Sequence, residues 1–204
     1  MDTGTRPKRI VVLVSGSGTN LQAVIDACGA RTIDGEVVAV VSNRPDVYAL
    51  RRAADAGVPA VQLSPQADEL RADYDARLAD VVAGFGPDLV VLAGWMRVLS
   101  MSFLGWFPDR VVNLHPALPG ELAGTNAIDR AWEQALRGER TTTGVMVHLV
   151  PDEGVDDGPV LGTAPVAIDT SSTLEAFEST MHAAEHQLLV DVLADLCRRT
   201  EAPV

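Results

Sequence analysis

The sequence predicts an α/β protein built on an open, doubly wound, Rossmann-like sheet, mostly parallel, with antiparallel strands in its C-terminal part. Three observations carry this. Short apolar runs rich in β-branched residues recur along the first half without alternating with polar residues, as strands covered on both faces require. Segments with apolar residues at helical spacing separate them. The first strand passes into the first helix through a glycine-rich turn, Ser15-Gly16-Ser17-Gly18, at the carboxyl edge where open parallel sheets bind ligands.

Residues 10–14 form the first expected strand and 20–28 the first helix, with Leu21, Val24, Ile25 and Cys28 on one face. Residues 37–41 read as a second buried strand, ended by Ser42-Asn43-Arg44-Pro45, and 47–56 as a helix stopped by Gly57. A short strand at 60–63 precedes a long helix at 68–83. Leu89-Val90-Val91-Leu92-Ala93 is the most apolar strand, and 111–114 is another short one. Beyond them 144–150 and 160–168 read as strands joined by the acidic, glycine-bearing loop 151–159, and an amphipathic helix spans 173–198. With no repeat or linker, one domain is expected over 1–204, a 1–115 half carrying the turn and a 116–204 half carrying the loop and last helix.

At 47% hydrophobic and 22% charged, the 204 residues suit a globular core. A net charge of −12 argues against a nucleic-acid partner, which needs a basic stripe. An anionic small molecule would then have to be met by local donors such as helix N-termini. No apolar run approaches the roughly 18 residues of a membrane span. The polar start, Met1 to Lys8, shows no signal peptide, and Cys28 and Cys197 form no disulfide framework, so the cytoplasm is the expected compartment.

The turn continues into Thr19 and Asn20. Its glycines and free amides suit an anion, while Ser17 or Thr19 capping the helix is an equally good reading. Leu21 stands where a dinucleotide fingerprint needs glycine, and the Lys of a P-loop is missing. Asn113 and His115 lie two apart at the end of a strand closed by Pro116, so both face one space. Asn113 could donate to a developing oxyanion and His115 could carry a proton. Asp156, in Gly154-Val155-Asp156-Asp157-Gly158-Pro159, would raise the pKa of His115 if the loop reached it, with Asp157 as the alternative. His148, inside an apolar strand, reads as a core or edge residue. His182 and His186 are spaced like two metal ligands but lack a third, so no metal is expected. Glu185 between them could receive a substrate amine or hydroxyl.

Six stretches in one order cover nearly the whole chain: Val11 through Gln22, Val41-Ser42-Asn43, Pro87 through Leu99, Asn113-Leu114-His115-Pro116-Ala117-Leu118, Val155 through Val160, and His182-Ala183-Ala184-Glu185-His186. In these the sequence resembles the phosphoribosylglycinamide formyltransferases, folate-dependent enzymes of purine synthesis. After His115 the chain runs Pro116-Ala117-Leu118-Pro119-Gly120, the short form of that turn found in one branch of the family, and continues to Thr125 and Asn126. The resemblance implies the formyltransferase fold, with glycinamide ribonucleotide as acceptor and 10-formyltetrahydrofolate as co-substrate. It implies that Asn113, His115 and Asp156 are catalytic, and that Gly18, Thr19, Asn20 and Glu185 hold the ribonucleotide. Arg71, Met96, Arg97, Val98, Leu99 and Asn113 would meet the folate, which loop residues 151–156 would cover. A monomer or homodimer without nucleic acid or membrane is the expected form. A different small amine acceptor, or a silent folate- or nucleotide-binding protein, are the alternatives.

Overall fold

The computed structural model describes residues 6–198. Residues 1–5 of the expected polar start, and 199–204, lie outside it. Seven strands form one sheet: β1 (Lys8–Val14), β2 (Gly35–Ser42), β3 (Ala60–Gln62), β4 (Leu89–Leu92), β5 (Val111–His115), β6 (Thr142–Leu149) and β7 (Val160–Ala167). Their order is β3-β2-β1-β4-β5-β6-β7. The first five are parallel, and β6 and β7 join antiparallel. Among the described residues no helix is long and apolar enough to cross a membrane.

The uniform apolar runs are explained by two cores, one on each face. Ile10, Val12 and Val14 of β1 point into one, with Val91 of β4; Val11 and Leu13 point into the other, with Val90. The first core is closed by α1 (Thr19–Gly29), α2 (Tyr48–Asp55), α5 (Ala127–Leu136) and α6 (Leu174–Arg198), the second by α3 (Arg71–Ala83) and α4 (Met101–Leu104). Alternate residues of a strand face opposite sides, so a strand buried on both must be apolar throughout.

The strands and the first and last helices lie where the sequence expects them, but three details differ. The third helix begins at Arg71 rather than 68, because Asp68 takes a left-handed φ of 60° and Leu70 is extended. Helix α4 and the longer α5 were not expected. Helix α5 buries Ala127, Ala131, Trp132 and Ala135, a helical spacing that the glycine-rich stretch before it obscures. Cys28 and Cys197 are free, and burial pushes their thiols up to about 11 and about 12, so neither is a ready nucleophile.

Strand order reverses between β1 and β4, whose carboxyl ends open beside that of β5. Such a switch point leaves a crevice between connections that leave in opposite directions. The turn after β1, the segment after β4 and the end of β5 all border it.

Candidate active site

Asn113 and His115 share one side of β5, as their spacing requires. Antiparallel pairing sets His148 of β6 directly opposite Asn113. The loop between β6 and β7 returns over them, and Asp156 reaches in with a left-handed φ of 56°. Its Oδ2 lies 3.2 Å from His115 Nδ1 and accepts the Gly124 amide at 2.8 Å, while Oδ1 accepts from Asn113 Nδ2 at 3.0 Å. Asp157 is exposed and folds back toward Gly154, so Asp156 is the partner of His115. The loop can turn there because Gly158 passes so close to the Leu149 carbonyl that a Cβ would stand 1.9 Å from it.

Hydrogen-bond bookkeeping fixes the tautomers. His148 Nδ1 lies 2.8 Å from the Leu149 carbonyl, which can only accept, so Nδ1 carries a proton. In the neutral ring Nε2 is then an acceptor, 3.1 Å from Asn113 Nδ2. Both hydrogens of the Asn113 amide are thereby engaged, one by Asp156 and one by His148. For His115, Nδ1 faces Asp156 and the buried Nε2 bonds to nothing among the described residues. A neutral His115 with its proton on Nδ1, toward Asp156, keeps a lone pair on Nε2.

The electrostatics correct one expectation. Burial is the largest influence on His115 and holds its pKa below the usual histidine value; Asp156 pulls upward without prevailing, and His148 adds a further lowering. His115 is only 4% exposed, so loss of solvation outweighs one carboxylate. Burial also pushes Asp156 upward, but the imidazoles of His148 and His115 when protonated, together with the Gly124 amide, bring its pKa below the ordinary carboxylate value. At neutral pH the pair is therefore a carboxylate beside a neutral imidazole.

Two adjoining cavities of about 240 and 300 Å³ meet here, sharing Gly94, Met96, Pro116 and Asn126 in their walls. The first contains Asn113, His115, His148 and Asp156, with an apolar side made by Leu92, Trp95, Leu99, Val150 and Val155. Met96, Arg97, Val98 and Leu99 form its rim in an irregular segment, and the amides of Arg97, Val98 and Leu99 bond to no other group among the described residues. Arg71 is outside this wall, at the start of α3, ion-paired with Glu153 of the covering loop. Glu153 also accepts the Met101 amide at 3.1 Å, fastening the loop to α4.

Gly16 through Asn20 line the second cavity, with His182 and Glu185 across it. Gly18, at φ 74°, is the N-cap of α1 and no side chain caps that helix, so Ser17 and Thr19 leave its first amides free. Arg52 supports the turn from behind through the Ser17 carbonyl, at 2.9 Å. Glu185 is 6% exposed rather than a solvated helix charge, and its Oε2 meets His182 Nδ1 at 2.7 Å. That hydrogen bond raises the His182 pKa against the opposing effect of burial. Among the described residues, His182 is the only basic side chain in this wall.

The sequence reading did not place His148 at the site, since its position beside Asn113 is set by β5–β6 register, and it gave His182 no part in the second cavity. The Glu185–His182 spacing of three on a helix was the available signal for the latter.

The fold is that of a formyl transferase: the family pattern matches residues 8–193, and the chain belongs to that family. Within it, the chain is 44% identical over 196 residues to the phosphoribosylglycinamide formyltransferase of Schizosaccharomyces pombe, covering 90% of this chain and 94% of the relative. The enzyme of that name from Escherichia coli is 39% identical over 91% of this chain and 87% of its own. Among solved structures, glycinamide ribonucleotide transformylase 1 from Symbiobacterium toebii superposes with a TM-score of 0.87 at 39% identity, covering 95% of this chain and 89% of the other.

Proposed function

We propose that this chain transfers the formyl group of 10-formyltetrahydrofolate to the primary amine of 5′-phosphoribosylglycinamide, giving formylglycinamide ribonucleotide and tetrahydrofolate in de novo purine synthesis in the cytoplasm. One observation carries the reading: Asn113, His115 and Asp156 converge where an apolar cavity with free backbone amides meets a cavity under an uncapped helix N-terminus. The first suits a flat pterin with polar edges, to be read by Arg97, Val98 and Leu99. The second suits a phosphate at Gly18, Thr19 and Asn20, with Glu185 on the ribonucleotide side. Arg71, outside that wall and paired with Glu153 of the covering loop, would meet the acidic tail of a folate.

The chemistry follows from the protonation states. As the amine nitrogen bonds to the formyl carbon, the carbonyl oxygen gains negative charge and the nitrogen a surplus proton. His115 Nε2, buried and basic, takes that proton, and Asp156 stabilises the imidazolium as it forms. Asn113 turns one hydrogen from His148 or Asp156 to the oxyanion. The imidazolium then returns the proton to the departing folate nitrogen as its bond to the formyl carbon breaks, leaving His115 neutral. The test is to mix the purified protein with both substrates and follow formyl loss from the folate optically. Loss that requires the ribonucleotide supports the reading; loss without it shows water as acceptor, and no loss refutes the assignment.

A further inference from the structure

The most deeply buried carboxylate in the described residues belongs to neither substrate cavity. Asp75, on α3, is 0% exposed and lies against the second core, whose apolar members include Leu78, Leu99 and Phe103. No basic side chain forms an ion pair with it among the described residues. Its Oδ2 accepts a single hydrogen bond, from the Ser100 amide at 2.6 Å, and Oδ1 has no partner. Burying a carboxylate in this way is costly, so its presence argues for a task that an apolar residue could not perform.

That task is visible in what Ser100 terminates. Segment 94–100 is irregular, so no ladder or helix holds its shape, yet it forms one wall of the first cavity. Besides the Gly94 carbonyl, which accepts the Ser15 amide at 3.1 Å, it is tied at three points. At its start, the buried Ser15 hydroxyl accepts the Met96 amide at 2.9 Å and donates to Asn43 Oδ1 at 2.7 Å. In its middle, the Arg97 guanidinium lies 4.7 Å over the Tyr74 ring, itself fixed by a hydroxyl bond to the Leu63 carbonyl. At its end stands Asp75. The neighbours Tyr74 and Asp75 thus grip the segment from one turn of α3. Between these ties lie the free amides of Arg97, Val98 and Leu99.

We propose that Asp75 is a positioning residue for the folate site, its carboxylate fixing the end of segment 94–100 and thereby the backbone groups that meet the pterin. The assignment rests on the folate reading above. It bears chiefly on the folate, because segment 94–100 enters the ribonucleotide cavity only through Gly94 and Met96, at the end away from Asp75, and the rest of that cavity is built mainly on α1, α5 and α6. The role requires an oxygen acceptor at that spot rather than a negative charge.

The experiment compares wild type with Asp75→Ala and Asp75→Asn, using 5-formyltetrahydrofolate as a stable probe of the folate site and steady-state kinetics for both substrates. Binding is read by fluorescence, since Trp95 lies in the cavity wall. Loss of one anchoring hydrogen bond in Asp75→Ala is expected to weaken folate binding about tenfold, equivalent to ~1.4 kcal/mol, and to raise the folate KM alike. The ribonucleotide KM should stay within about threefold, and Asp75→Asn, which keeps an acceptor oxygen, should restore folate affinity to within about threefold. Unchanged folate affinity in Asp75→Ala, an equal rise in both KM values, or failure of Asp75→Asn to rescue would each overturn the assignment. If Asp75→Ala does not fold, Asp75→Glu decides. Its longer arm displaces the Ser100 amide, so an unaltered folate KM there refutes the role. Absence of folate binding by the wild type would remove the folate reading and this assignment together.

Discussion

Replacing Asp156 by Asn tests the proposed catalytic group with little change of shape. Asn retains one oxygen for the Gly124 amide but presents no charge to His115. At the observed 3.2 Å and an effective dielectric of about 20, carboxylate and imidazolium attract by about 5 kcal/mol. The side chains are 5% and 10% exposed, so screening is small, but competing dipoles such as the Asn113 amide reduce the net value to about 3–4 kcal/mol. That energy applies only once His115 has taken the proton, so it belongs to the transition state. kcat should therefore fall about 10²–10³-fold while folate binding persists. The acid limb of kcat/KM should also move. Burial already holds the His115 pKa low, and Asp156 is the main opposing influence, so its removal shifts the limb to lower pH. Single-turnover rates across the pH range supply both numbers. A kcat within about fivefold of wild type, or a limb that moves upward, would refute the assignment of Asp156 as electrostatic partner.

Asn113→Ala removes the donor shared by Asp156 and His148 and should lower kcat about 10²–10³-fold, measured with thermal melting to show that the fold persists. Gly18→Ala places a Cβ 2.6 Å from that of Ala49 on a backbone at φ 74°. Left-handed strain of about 1–2 kcal/mol and overpacking of about 1–3 kcal/mol should together lower the urea-unfolding free energy by about 2–5 kcal/mol. The ribonucleotide KM should rise as well. For His182, the Glu185 hydrogen bond raises the folded-state pKa, so the imidazolium and its stabilising bond are fully present below the ordinary value of about 6.5 and are lost as pH rises through the raised one. The ribonucleotide KM of the wild type should climb through that window, and His182→Gln should flatten the profile.

Much of the architecture was legible in the chain because its signals are local. Unbroken apolar runs in β1 and β4 declare burial on both faces, and residues 15–18 declare a turn that side chains cannot crowd. The two-residue spacing of Asn113 and His115 makes them face together in any extended backbone. The start of α3 was less legible, since helical periodicity continues upstream while the left-handed turn at Asp68 interrupts the backbone. Helix α5 carried its pattern in small alanines, a weak hydrophobic signal beside Trp132.

What the sequence by itself determined was the order of the seven strands and of four of the six helices, the glycine-bearing turn after β1 and the identity of the polar groups. Tertiary structure alone decided how those groups act. Register between β5 and β6 brought His148 to Asn113, and the left-handed backbone at Asp156 chose it over Asp157. The fold also reversed the expected shift of His115, for a physical reason. The pull of a carboxylate can be guessed from its presence in the chain, but the opposing loss of water depends on every element packed around the ring, and here that loss is the larger influence.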